Sequence, residues 1–229
     1  MPDDLIALAQ PEFVLVAWAA GLALASGAVA LTRLVGPGFT WMVISLAGLL
    51  SLSGAFGADT WWVRFGLIMV GLALVFARNH QLAGIFQLTA GFAYLTHAAA
   101  IGGWIPALTG TLAMGAVTSE MMLAHWYLVD PRLPRSILRV LASVGLAGLA
   151  ADSGVVAVLG LPGGGATIAY WALMVASIVL MAAAIAALRQ PAYSGVMAAT
   201  GLSYLAVLTT LGGVFLGRVL VAGVGPFAN

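Results

Sequence analysis

Four ionisable side chains lie inside long apolar runs of this 229-residue chain: His97, Glu120, His125 and Asp152. An ionisable group stranded in hydrocarbon is expensive, which makes each of the four a candidate for use. Histidine and carboxylate side chains exchange protons near neutral pH once their surroundings tune them. The chemistry they suggest together is a proton or ion relay. Counted from the helix ends on one side at about 1.5 Å per residue, His125 lies about 7 Å in, Glu120 about 15 Å, and Asp152 and His97 about 24 Å. That graded spacing suits a path across a membrane.

Other residue types point to binding rather than proton transfer. Trp126 and Tyr127, beside His125, are candidates for the floor of a quinone or lipid pocket. The competing reading is an aromatic belt at a membrane interface. In the turn DPRLPR, Pro131 and Pro134 stiffen the backbone and present Arg132 and Arg135, with Arg139 beyond. These arginines are candidates for docking a partner subunit or an anionic headgroup; otherwise they only orient the chain. Met121 and Met122 read as packing, and His80 as a solvated loop residue.

Several chemistries are disfavoured. The chain has no cysteine, so thiolate metal sites and disulfides are out. His97 and His125 lie about 17 Å apart along the helix direction, too far to share one haem iron. The three histidines and seven acids form no close metal-ligand motif, and no nucleophile elbow, P-loop or dinucleotide fingerprint stands in a usable context. Gly163, Gly164 and Gly165 read as a turn. Catalysis and a cofactor of its own are therefore not expected; the reading leaves room for bound lipid or quinone.

What positions these residues is a set of membrane helices. The chain is 63% hydrophobic, with only 15 charged side chains and a mean hydropathy of +1.12. Soluble cores do not absorb that much apolar surface. The net charge of +1 leaves no nucleic-acid footprint, and the acidic start MPDDLIALAQPE reads as retained rather than as a signal peptide. A span needs about 20 mostly apolar residues. Eight stretches qualify, at 12–33, 38–58, 62–78, 82–103, 105–129, 136–160, 166–188 and 193–222. The breaks carry glycine, proline and charge, as at Gly36-Pro37-Gly38, Asp59, Gly102-Gly103 and Asp130-Pro131. The fold class is an all-α polytopic membrane protein, residues 1–229 forming one membrane domain.

Orientation follows from arginine, since all eight basic residues are arginine. Arg33, Arg78, Arg132, Arg135, Arg139 and Arg189 fall at odd-numbered connections; Arg64 and Arg218 fall on the other side, with Asp3, Asp4 and Glu12. This predicts cytoplasmic odd connections, both termini outside, and residence in a bacterial inner membrane.

Two parallel four-helix repeats are expected, at 12–103 and 105–222. SLAGLLSLSG (45–54) matches GLAGLAADSG (145–154), and TAGFAYLTHAAAIGG (89–103) matches ATGLSYLAVLTTLGG (199–213). On this alignment Glu120 lies opposite Gly27, His125 opposite Thr32, Asp152 opposite Leu52 and His97 opposite Val207. The small residues of the second and sixth helices place those two at the centre. In outline only, the architecture resembles the quinone-handling membrane subunits of some respiratory oxidoreductases.

The functional expectation is a non-catalytic integral subunit of a larger energy-transducing complex (respiratory, electron-transfer or photosynthetic), among lipids and other subunits. Its acids and histidines would assist proton movement or line a quinone site. The alternative is a small proton-coupled transporter or channel acting alone or as a homo-oligomer.

Overall fold

The computed structural model describes residues 8–55 and 60–223, and these contain eight long helices. In chain order they are α1 (Pro11–Leu31), α2 (Pro37–Ala55), α3 (Trp61–Val75), α4 (His80–Gly102), α5 (Trp104–Val129), α6 (Arg135–Leu159), α7 (Gly165–Leu188) and α8 (Tyr193–Ala222). Asp3, Asp4 and Asp59, which entered the orientation, lie outside the described residues.

Local sequence sets the boundaries. Pro11 and Pro37 open α1 and α2, where a missing N–H costs nothing. Asn79 caps α4 by accepting a hydrogen bond from the Leu82 N–H at 3.2 Å. A single residue, Gly103, reverses the chain between α4 and α5; its φ of +82° is one that a side chain would resist.

Helices α1, α6, α7 and α8 are long and apolar enough to cross a membrane. At 15 residues, α3 is about 22 Å long, short of a hydrocarbon layer of about 30 Å. Helices α4 and α5 have the length but carry more polar side chains, among them Gln81, Gln87 and His97 on α4 and Thr118, Glu120 and His125 on α5.

The centre belongs to α1 and α5, not to α2 and α6 as the small residues suggested. Helix α1 packs on α2, α4 and α5, while α5 packs on α6, α8 and α1. At their crossing Gly21 lies on Gly115: a Cβ on Gly21 would stand 2.6 Å from the Gly115 Cα. Gly145 and Gly148 of α6 serve a different purpose, letting α6 close onto Val117 and Ala113 of α5. Small residues mark a close pair of helices, and α6 has that pair on one side only.

Candidate functional site

Glu120 sits on α5, about 14 Å from that helix's end at Val129. It is fully buried, and its Oε2 accepts a hydrogen bond from the Ser203 hydroxyl of α8. Ser203 Oγ also lies 2.8 Å from the Ala199 carbonyl. A hydroxyl has one proton and two acceptor positions, so this placement serves both forms of the acid. When Glu120 is ionised, Ser203 donates to it. When Glu120 is protonated, Glu120 donates to Ser203 and Ser203 turns its proton to Ala199. Glu120 Oε1 has no partner among the described residues.

Asp152 belongs to a second cluster, at the end of the bundle where α1 begins and α8 finishes. Helix α6 continues to Leu159, so Asp152 lies well inside it and is fully buried. Its Oδ1 accepts from Thr109 of α5 at 2.7 Å and from the guanidinium of Arg218 on α8. Arg218 Nη2 also donates to the Pro106 carbonyl at 3.1 Å, and the guanidinium lies over the Phe13 ring, 5.8 Å from its centroid. Sequence reasoning placed Arg218 among the orienting charges; the structure makes it a wholly buried ion-pair partner. Two such charges survive burial because each compensates the other and both are hydrogen-bonded. Asp152 Oδ2 and Arg218 Nε and Nη1 have no partner among the described residues.

His97 is held at the same end by a third set of contacts. Its Nε2 lies 2.7 Å from Glu12 Oε1 of α1, and its Nδ1 lies 3.0 Å from the Thr60 hydroxyl. Thr60 occupies the position before α3 where a threonine usually caps its own helix, yet its side chain makes no such bond. His97 thus ties α1, α3 and α4 together. Phe13, next to Glu12, brings this set beside the Asp152–Arg218 pair.

The remaining candidates disperse. His125 is exposed on α5, with its Nδ1 3.0 Å from the Tyr204 hydroxyl of α8. None of His97, Glu120, His125 and Asp152 touches another of the four in a hydrogen bond; they meet through α8, where Ser203, Tyr204 and Arg218 receive three of them. Trp126 lies against Gly38 and Phe39, its ring 6.4 Å from the Phe39 ring, and Tyr127 is buried. Neither lines the cavity of about 470 Å³ between α1, α5 and α6, whose walls include Ala25, Ala28, Thr111, Ala116 and Val140. Arg135 donates to the Gln190 and Ala192 carbonyls, closing the α6 start onto the α7–α8 connection. Arg132, nearly fully exposed, lies 3.8 Å from Asp130, and Arg139 is exposed.

Among the described residues no three His, Asp or Glu side chains come together as a metal site would need. No protein-family model, curated protein or solved structure matches the chain.

Proposed function

We propose that the protein is an integral, non-catalytic membrane subunit of an energy-transducing complex, and that Glu120 carries protons within it. The observation that carries this reading is the Glu120–Ser203–Ala199 arrangement, in which a buried acid keeps a hydrogen-bond partner in both protonation states. A structural acid needs one such state; an acid that loads and unloads protons needs two. His125, hydrogen-bonded to the residue after Ser203, stands between Glu120 and the end bearing Arg132 and Arg135. By the arginine distribution that end is cytoplasmic, and the Asp152–Arg218 end, with both termini, is periplasmic. Lipids, quinone and neighbouring subunits are the partners this reading calls for.

All eight helices span in this reading, as two parallel four-helix repeats. The order of packing supports it: α1 packs on α2 and α4 as α5 packs on α6 and α8, and α3 packs on α4 as α7 packs on α8. The buried faces repeat as well. Val63, Gly66, Val70 and Ala73 of α3 recur as Met174, Ser177, Met181 and Ala184 of α7, each 111 residues later. Thr40, Val43, Ile44, Ala47 and Leu50 of α2 recur as Leu138, Leu141, Ala142, Gly145 and Gly148, each 98 later. For α4 and α8 the shift is 112, pairing Ala83, Gln87, Gly91 and Tyr94 with Gly195, Ala199, Ser203 and Ala206. A shift of 94 puts Gly21 on Gly115, the pair in mutual contact, as expected on an axis relating the halves. The same shift puts Ser26 opposite Glu120, one position from the Gly27 of the sequence alignment. The buried faces likewise move the α2–α6 and α4–α8 shifts from 100 and 110 to 98 and 112.

A second reading, a proton-coupled transporter acting alone, draws on the Glu12–His97 hydrogen bond and the Asp152–Arg218 ion pair, which pin both halves at one end as closed gates would. Isolation from native membranes in mild detergent, with mass spectrometry of what accompanies the chain, separates the two. Stoichiometric redox, pigment or motor subunits support the first. A protein that arrives alone, and conducts protons in liposomes without partners, replaces it with the second.

A further inference from the structure

Helices α1 and α6 both pack on α5 and scarcely on each other. The cavity of about 470 Å³ is the cleft between them, with α5 as its floor. It runs from Gly21, at the crossing with Gly115, to Thr32 just past the end of α1, about 16 Å at the helical rise. Its wall side chains are apolar except Thr32 and Ser136, exposed at that end, and Thr111, buried deeper. Ala28, Val140 and Val144 on the walls are exposed, so the cleft opens to whatever surrounds the bundle. In the two-repeat reading, the shifts of 94 and 98 residues carry this cleft onto a counterpart between α5 and α2, floored by α1. The counterpart carries bulk where the cleft does not: Trp126 stands in place of Thr32, Met122 of Ala28 and Trp18 of Leu112. Trp126 bridges α5 to α2 by lying on Gly38, which stands in place of Ser136, and beside Phe39. Trp18 Nε1 donates to the Thr118 hydroxyl at 3.0 Å, and Met122 is buried. Thr32 and Ser136 instead leave the cleft between them.

We infer that the α1–α6 cleft is a binding site for one acyl chain of an anionic phospholipid, with the headgroup at the Thr32–Ser136 end. Walls of carbon offer a ligand no hydrogen bonds, which selects a hydrocarbon chain. A hydrocarbon layer of about 30 Å is two leaflets, so the chains of one leaflet span about 15 Å, the length of the cleft. A quinone ring carries a carbonyl at each end and calls for two polar partners inside; Thr111 alone is there. Charge selects the headgroup. Arg33 follows Thr32 and Arg139 lies one turn of α6 from Ser136, both exposed, and Arg33 donates to the neutral Gln81. Asp130 is the only acid at this end among the described residues, and it lies beside Arg132. Such a surface favours an anionic headgroup over a zwitterionic one. The bound chain takes on α5 the place that Trp126 and Met122 take in the counterpart, and so joins α1 of one half to α6 of the other. The counterpart belongs to the two-repeat reading; the cleft, its walls and its charged end stand without it, and Glu120 has no part in them.

The test is native mass spectrometry of the full chain, purified in a delipidating detergent and titrated with phosphatidylglycerol or phosphatidylcholine. Wild type is expected to hold one phosphatidylglycerol, about tenfold more tightly than phosphatidylcholine. Ala28→Phe with Val140→Phe fills the cleft from two exposed wall positions and is expected to lose that lipid while unfolding at the wild-type temperature in detergent alone. Ala28→Met with Thr32→Trp copies the counterpart and is expected to do the same. Arg33→Gln with Arg139→Gln is expected to keep a lipid and to bind the two headgroups equally. A wild type that retains no lipid, that does not discriminate the headgroups, or that prefers decylubiquinone to phosphatidylglycerol overturns the inference. So do filled variants that fold and hold the lipid as wild type does. If the wall variant expels the lipid and the indole variant does not, the site stands and the pairing of the halves falls. Should neither filled variant fold, the arginine variant decides, and an unaltered headgroup preference overturns the inference. Glu120→Gln is expected to leave lipid binding unchanged, so its effect on turnover is read separately.

Discussion

The α1–α4 and α5–α8 seams are built alike and charged differently. In the first, the Ser26 hydroxyl of α1 donates to Gln87 Oε1 of α4, a neutral contact. In the second, the acid comes from α5 and the hydroxyl from α8, as Glu120 and Ser203. Both contacts are fully buried and both bridge a central helix to an outer one. A serine–amide pair is thus enough to hold such a seam. The carboxylate of the second adds an ionisable group that packing does not require, and burial makes that addition costly. That difference is what the proposed role of Glu120 rests on.

The contacts of Asp152 and Glu12 sharpen the contrast, and the largest expected effect lies there. Asp152→Ala strands Arg218 where both side chains have no exposure, and should lower stability by about 3–5 kcal/mol. His97→Ala leaves Glu12, whose side chain is 13% exposed and within reach of solvent, so its loss should be clearly smaller. Thermal unfolding of both variants in one detergent decides this; equal losses would erase the distinction between the halves.

Next comes the contact that joins the halves. Gly115→Ala drives a methyl into the Gly21 backbone and should cost about 1–3 kcal/mol, the usual range for overpacking. The same substitution at Gly71, which has open space around it, should cost far less. The smallest effect is expected at His125, exposed and bonded only to Tyr204. His125→Phe should leave the unfolding midpoint unchanged, and lower proton delivery only if His125 supplies Glu120.

The helices were legible in the sequence because glycine, proline and charge punctuate a chain that is otherwise apolar; the starts fall within two residues of the expected positions. Glu120 and Asp152 were legible as exceptions to that apolarity. Their partners were not, because Ser203 lies 83 residues from Glu120 and Arg218 lies 66 from Asp152. Arg218 was misread for a physical reason: four residues from the end of α8, it has the position of an orienting charge. The signal that finds it is the α8 face itself, where Ser203, Thr210 and Arg218 share one stripe. The central role of α1 and α5 was also hidden, since α1 advertises its crossing with a single glycine amid many.

The central claim is that Glu120 moves protons, and its most direct test is Glu120→Gln in the native membrane complex. Glutamine keeps the size and a donor toward Ser203, as the protonated acid does, so assembly and thermal stability should stay at wild-type levels. Proton-coupled turnover should fall sharply. Unchanged turnover in an intact complex would show that the carboxylate is structural and would contradict the account.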